Sequence, residues 1–304
     1  MNPAVQTLLE EIAQAKRRAA ERKQHAQASG DIPNTTHVPQ EPQPPSADEC
    51  CGNGCTPCVY DTYRAQLAAY HQAKPPPSIP ATINVRCSQP LGARARLLVL
   101  DATEQTFRVR LGQHVHLRTE GTAARAFTPV MLPDATGTVR PHVLVRVYGP
   151  GSSSRSLAEL RPGDPLMVRG PLESSVDMPG ALNSSTCVLV AAGSGISAVF
   201  HVLQYAAAHA EYHRRRLLVV QCACDAESLW LRRPIERLRD VLPGLHYHAH
   251  VSADAGRMDC RVLRGMLGDV DGACAVVCGP EAFNNDVAGW LAELGLAPDA
   301  IQVL

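Results

Sequence analysis

The stretch VLVAAGSGISAVF, residues 188–200, passes from an unbroken apolar run through Gly193-Ser194-Gly195 into small and apolar residues at helical spacing. A buried strand that turns sharply into a helix has this form, and the backbone N–H groups at such a turn favour an anion. Gly193-x-Gly195-x-x-Ala198 is the G-x-G-x-x-A variant of the dinucleotide fingerprint. Close strand–helix packing also selects small residues, so the turn alone admits either reading. The acid expected about twenty residues on to hold a ribose is not in place, and Asp225 comes later.

Outward from this turn the chain alternates strands and helices. TCVLVAA, RLLVVQCAC, LHYHAHV, GACAVVCG and AIQVL read as strands, with ISAVFHVLQYAAAHA, SLWLRRPIERLRDV, CRVLRGML and EAFNNDVAGWLAELG as helices between them. Such alternation predicts an α/β, Rossmann-like domain with a parallel sheet over residues 183–304. Upstream, over residues 79–176, the pattern changes. ATINVRC, ARLLVLDA, TFRVRL, HVHLRT, HVLVRVY and PLMVRG are short strand-like runs separated by turn residues, and SLAEL is the one short helix between them. Many short strands predict a small antiparallel β-barrel. The fold class is therefore a two-domain α+β chain, an antiparallel barrel followed by a Rossmann-like domain, with a small Cys-rich segment at the N-terminal side.

The chain has 304 residues, 45% of them hydrophobic and 19% charged, which supports two cores. Lys plus Arg and Asp plus Glu are 29 each, so no net field draws the chain to nucleic acid or an anionic membrane. No window holds eighteen uninterrupted apolar residues, so no transmembrane anchor is expected. Several of the eleven cysteines sit singly in apolar runs, among them Cys187, Cys222, Cys224 and Cys278. Buried single thiols suit a reducing compartment. The first thirty residues mix Lys16, Arg17, Arg18, Arg22 and Lys23 with Glu10, Glu11 and Glu21 and lack an apolar signal core. The cytosol is the expected location, with the mitochondrion as the alternative.

Residues 1–48 read as a solvated helical stretch over 1–28 followed by a linker with five prolines. Residues 49–74 hold Cys50, Cys51, Cys55 and Cys58 within nine positions. Four thiols at this density can take zinc or an iron–sulfur cluster. Disulfide exchange and a purely structural thiol knot are the other readings, because adjacent Cys50 and Cys51 suit one tetrahedral site poorly. Tyr60, Tyr63 and Tyr70 are expected to dock this module rather than bind a ligand. His246, His248 and His250 share one strand face and are read as rim positions, and His114 and His116 as ordinary strand residues.

LGQHVHLR, RAFTPV, VLVRVYG, GSSSRSLAELRPGD and VRGP precede AAGSGISAV and VVCGPEAF in that order. The series, over residues 79–304, resembles the ferredoxin–NADP reductase superfamily and, within it, the NADH–cytochrome b5 reductase family. CCGNGCTPCVYDTY likewise resembles the short oxidoreductase-like module found in some b5 reductase-like proteins. The resemblance implies that Arg125, Ala126, Phe127 and Thr128 stand for the family's R-x-Y-[ST] motif. Arg125 would meet the FAD diphosphate, Phe127 would stack on the isoalloxazine and Thr128 would reach its N5 edge. A guanidinium suits a diphosphate because its fork holds two oxygens at once. Gly151, Ser152, Ser153 and Ser154 would present a second diphosphate-binding turn, with Ser154 capping the helix behind it. Leu144 and Arg146 would border the flavin. Gly193, Ser194 and Gly195, with Ser197, Cys278, Gly279 and Pro280, would border the nicotinamide.

Phe127, Ala198 and Leu304 depart from the family's usual Tyr, Pro and terminal aromatic. Ser228 stands near Arg232 and Arg233 where relatives carry an acid that favours NADH, so NADPH also fits. The function so implied is a flavoprotein oxidoreductase. Hydride passes from NADH, or NADPH, to FAD, with Thr128, Ser197 and Cys278 at the reacting centre, and electrons go on to a haem-protein acceptor such as a b-type cytochrome. The alternative is an inactive module that keeps the fold while its Cys segment recruits a partner.

Overall fold

The run ARLLVL forms β2 (Ala95–Leu100), and nearly all of its side chains are buried. Strand side chains alternate between faces, so an unbroken apolar strand needs cover on both sides. Leu98 and Leu100 enter one core with Phe107, Leu117 and Leu166. Ala95 and Leu97 enter another with Ile196, Phe200 and Leu203. The strand β6 (Val139–Arg146) is divided in the same way, with Val143 and Val145 facing the first core and Leu144 the second. The first core fills the N-terminal half of this region, and the second lies between its two halves.

The computed structural model describes residues 81–304 except Ser175, together with Pro45, Val59, Thr62 and Tyr63. The chain divides into two compact units, one containing Ser78–Leu304 and the other formed by Lys16–Pro77. In the latter, Val59, Thr62 and Tyr63 are helical. The helix expected over 1–28, the Pro-rich linker, Cys50, Cys51, Cys55 and Cys58, and Tyr60 and Tyr70 lie outside the described residues.

With β2 and β6, the strands β1 (Thr82–Leu91), β3 (His114–Arg118), β4 (Arg125–Phe127), β5 (Val130–Pro133) and β7 (Pro165–Leu172) make an antiparallel sheet of order β4-β3-β7-β1-β2-β6-β5. Thr128 and Pro129 alone separate its two edge strands in sequence. Laid flat, six inter-strand steps of about 4.8 Å would hold the edges about 29 Å apart, whereas three peptide units span at most about 11 Å. The sheet is therefore rolled into a barrel whose seam is Thr128. The short helix α1 (Ser153–Ala158) buries Leu157 in the barrel core.

Two strand expectations change. Residues 106–111, read from TFRVRL as a strand, form none: Phe107 turns into the core as a plug, and its N–H bonds back to the Thr103 carbonyl at 2.9 Å. Conversely, β4 and β5 were not expected, because each is short and gains its pairing only from the rolled sheet.

In the second half β8 (Thr186–Ala192), β9 (Arg216–Ala223), β10 (Leu245–Val251), β11 (Cys274–Cys278) and β12 (Ile301–Val303) are parallel, in the order β10-β9-β8-β11-β12. Around them run α2 (Met178–Asn183), α3 (Ile196–Ala208), α4 (Arg232–Arg237), the single turn α5 (Ser252–Ala255), α6 (Cys260–Leu267) and α7 (Glu281–Glu293). Leu189 and Val219 face α3, while Val188 and Val220 face the cluster that holds Leu263 of α6 and Leu291 of α7. So α3 is packed between the parallel sheet and the barrel. The helix expected over SLWLRRPIERLRDV is broken by Leu231 at φ 60°, leaving α4 flanked by 3₁₀ turns. Among the described residues no helix is long and apolar enough to cross a membrane.

At the β5–β6 hairpin Asp134 takes the N–H groups of Thr136 and Thr138, the Thr136 hydroxyl, and the guanidinium of Arg140 at 2.6 Å. Burial pushes its carboxyl up, but the bonds from Thr136, Arg140 and Thr138 outweigh this and hold the pKa at about 2. Beside it His142 is buried, and burial lowers its pKa from 6.5 to about 4. A base kept neutral by folding stabilises the fold above its unfolded pKa and loses that contribution as the pH falls. Thermal unfolding should therefore move to lower temperature between pH 6.5 and 4, and H142Q should make the slope shallower; a pH series of melting curves on the two proteins measures this.

Candidate active site

In a parallel sheet with strand order β10-β9-β8-β11-β12, the chain runs outward from β8 through β9 to β10 and then crosses back to β11 on the other side of β8, so the winding reverses between β8 and β11. A crevice opens beyond the carboxyl ends of the strands at such a switch point. Here those ends are Ala192-Gly193 and Cys278-Gly279. Gly193–Gly195 forms a 3₁₀ turn that leads directly into α3, with no side chain capping the first turn. Its free N–H groups and the helix dipole make an anion-binding end.

The glycines are needed for closeness. A Cβ on Gly195 would run into the Cys278 carbonyl, and one on Gly279 would sit 2.6 Å from Phe283 and 3.1 Å from the Ala192 Cβ. Gly193 has φ +58°, and the Arg146 guanidinium from the barrel lies 3.0 Å from where its Cβ would be. The turn is thus pressed against β11 on one side and covered by a barrel arginine on the other.

Between the halves lies a cavity of about 600 Å³, within the range of roughly 300–1,000 Å³ usual for ligand sites. The barrel contributes Ala126, Phe127 and Thr128 at the seam and Leu144, Arg146 and Tyr148 along β6 and just beyond it. The other half contributes Ser194, Gly195, Ser197, Cys278, Gly279 and Pro280. Eleven residues singled out in the sequence therefore share one cavity. An open groove with an uncapped helix end and side-chain-free glycines fits a dinucleotide-type ligand.

Arg125, Gly151, Ser152, Ser153, Ser154 and Gly193 do not line the cavity. Arg125 starts β4 and is exposed. The serine turn is occupied locally: Ser152, not Ser154, caps α1, accepting the Arg155 N–H at 3.2 Å. Ser154 instead accepts the N–H of Tyr148 at 3.2 Å, which ties the turn to a cavity residue.

The structure adds Gln113, Glu173 and His201, which sequence reasoning passed over, and brings His114 and Leu304 to the same cavity. His114, read as an ordinary strand position, lines the cavity with Gln113 and Glu173. The Gln113 amide donates to Glu173 at 2.7 Å, and burial together with His116 lowers the pKa of His114. His201 also lines the cavity, one turn beyond Ser197 on α3, a spacing that could have flagged it. It bonds to the backbone of Val109, and burial lowers its pKa to about 4, so it is neutral. Leu304 lines the cavity too, its N–H on the Val277 carbonyl at 2.9 Å and its carbonyl on Asn284 Nδ2 at 2.9 Å.

Away from the cavity, Ser228 is buried and donates its N–H to Asp225 at 2.9 Å. Asp225 lies 3.6 Å from Arg94 of the barrel, so both of its oxygens are engaged. His250 is buried, with Nε2 2.9 Å from the Gly256 carbonyl.

Comparison with known proteins agrees with this geometry. An oxidoreductase FAD-binding domain matches residues 91–175, an oxidoreductase NAD-binding domain matches 189–289, and the N-terminal part of an oxidoreductase-like protein matches 34–76. The NADH-cytochrome b5 reductase-like protein of Homo sapiens is 26% identical over 311 residues, covering 86% of this chain and 93% of its own length. Among solved structures, the cytochrome b5 reductase domain of Ulva prolifera nitrate reductase superposes with a TM-score of 0.59 at 17% identity, over 73% of this chain and 96% of that one. A ferredoxin NADP+ reductase from Neisseria gonorrhoeae, with bound FAD and NADP, gives a TM-score of 0.59 at 15% identity, over 73% and 97%. Fold and matches together define an FAD- and NAD-binding oxidoreductase. The chain carries an oxidoreductase FAD-binding domain followed by an oxidoreductase NAD-binding domain, and over most of its length it is similar to the NADH-cytochrome b5 reductase-like proteins.

Burial pushes the Cys278 thiol up to about 11, so at neutral pH it is a protonated thiol and a slow nucleophile. Thiol labelling at pH 7 followed by peptide mass spectrometry should find Cys278 among the slowest described cysteines. In Gly195→Ala, where the new methyl displaces the Cys278 carbonyl, labelling should accelerate and stability should fall by about 1–3 kcal/mol.

Proposed function

We propose that the protein oxidises a reduced nicotinamide dinucleotide and passes the electrons to a one-electron acceptor such as a b-type cytochrome. The observation that carries the reading is the meeting of the barrel seam and the strand switch point in one cavity, with Thr128 on one wall and Ser197 and Cys278 on the other. Bound FAD supplies the redox chemistry, accepting hydride from the nicotinamide and releasing the electrons onward.

The chain's own residues supply placement. Arg125 and the turn of Gly151 to Ser154 would hold the diphosphate of FAD, and Phe127 and Leu144 would give its ring system apolar surface. Thr128 offers a hydroxyl at the seam. Ser197, Cys278 and the Gly193–Gly195 turn seat the nicotinamide, with the uncapped N-terminus of α3 towards its phosphates. No proton donor is required for hydride transfer, which fits a site whose thiol and buried imidazole are both neutral. Its rate rests on alignment of the two partners. Leu304 and Met178 limit the entry of water. NADH is the expected donor; Ser228 in place of an acid leaves room for NADPH. A haem-protein acceptor is the partner named by the relatives.

Arg125→Ala should lose most of its FAD on gel filtration while keeping the fold, and Thr128→Ala should retain FAD but be reduced more slowly by NADH. Flavin absorbance per protein and stopped-flow reduction measure the two effects. Full flavin content in Arg125→Ala would remove that residue from the site. A colourless wild type that ignores added FAD would favour the alternative of an inactive binding module.

A further inference from the structure

The layer between barrel and parallel sheet is apolar, and apolar contact has no direction. It can hold two bodies together without fixing how far one has slid along the other. On α3, however, Ser197, His201 and Gln204 recur at i, i+4 and i+7 and form one stripe. Ser197 faces the cavity. His201 bonds to the backbone of Val109 in the irregular segment before β3.

Gln204 makes the most directional contact. Its Oε1 accepts the Met131 N–H at 3.2 Å and its Nε2 donates to the Met131 carbonyl at 2.5 Å. Met131 lies on β5, an edge of the barrel sheet, opposite Pro141, which has no N–H to offer. The outward peptide groups of an edge strand need partners, and a single carboxamide takes both, as a neighbouring strand would.

The clamp sits at a fixed reach from the reacting positions. Met131 is three residues after Thr128, about 10 Å along an extended chain. Gln204 is seven residues after Ser197, also about 10 Å along the helix. Thr128 and Ser197 both line the cavity, one from each half. Resting on the reading of that cavity as a hydride-transfer site, we infer that Gln204 is a positioning residue: its paired bonds to Met131, supported by His201 on Val109, lock the nicotinamide-binding half against the flavin-binding half in the alignment that transfer needs.

The test uses the full chain loaded with FAD. Gln204→Leu keeps the volume and removes both bonds. Gln204→Asn keeps the chemistry but is one methylene too short to reach Met131, and it carries the test if the leucine variant does not fold. Both variants should retain FAD and bind NADH within about twofold of the wild type. The limiting rate of flavin reduction should fall by between about tenfold and a hundredfold, the scale of a displacement near 1 Å. The long-wavelength charge-transfer absorbance of the reduced flavin with NAD+ should weaken in parallel. Independently of turnover, hydrogen exchange at the Met131 amide, slow in the wild type, should become fast. Wild-type limiting rate and charge-transfer absorbance in a variant whose Met131 amide exchanges fast would overturn the positioning role. Unchanged exchange in both variants would overturn the clamp itself. A wild-type flavin that NADH does not reduce would instead defeat the hydride-transfer reading, and the exchange measurement would still report on the clamp.

Discussion

Everything in the functional half of the molecule depends on one buried layer, the apolar contact in which α3 lies between the barrel strands β2 and β6 and the parallel strands β8 and β9. At about 25 cal/mol per Å² of apolar surface removed from water, such a layer makes two sheets into one body. Its consequence for chemistry is geometric. The barrel seam and the strand switch point are each only half of a ligand site, and the shared layer brings them to opposite walls of one cavity.

The local devices around that layer serve the same end. Gly195 and Gly279 let α3, β11 and α7 approach more closely than any side chain permits. Arg146 reaches from the barrel over Gly193. Asp134 holds the β5–β6 hairpin closed, and through Arg86, at 3.1 Å, ties it to β1. That hairpin carries the edge strand gripped by Gln204. Polar contacts therefore set the registration of a junction whose cohesion is apolar.

Much of this was legible in the sequence. Alternation of strands and helices gave the second half because its central parallel strands β8, β9 and β11 are largely buried on both faces and stand out as apolar runs. The Gly193–Gly195 turn was legible because a strand–turn–helix passage leaves a local signature. What was not legible depended on distant parts of the chain. β4 and β5 are three and four residues long and exist through pairing with β3 and β6. TFRVRL alternates like a strand, yet Phe107 is consumed as a core plug and the Val109 backbone by His201. Glu173 and Met178 come to the cavity from beyond β7 and from the start of α2, with no motif in common. The serine turn was placed correctly in sequence but its cap fell on Ser152, since Ser154 is taken by Tyr148.

The central claim is that the cavity joins a flavin to a nicotinamide, and anaerobic titration of the FAD-loaded protein with NADH tests it most directly. The account predicts loss of the yellow flavin absorbance, complete at one NADH per flavin, with oxidised nicotinamide formed in equal amount. A protein that binds FAD and NADH together yet keeps its absorbance unchanged would contradict it.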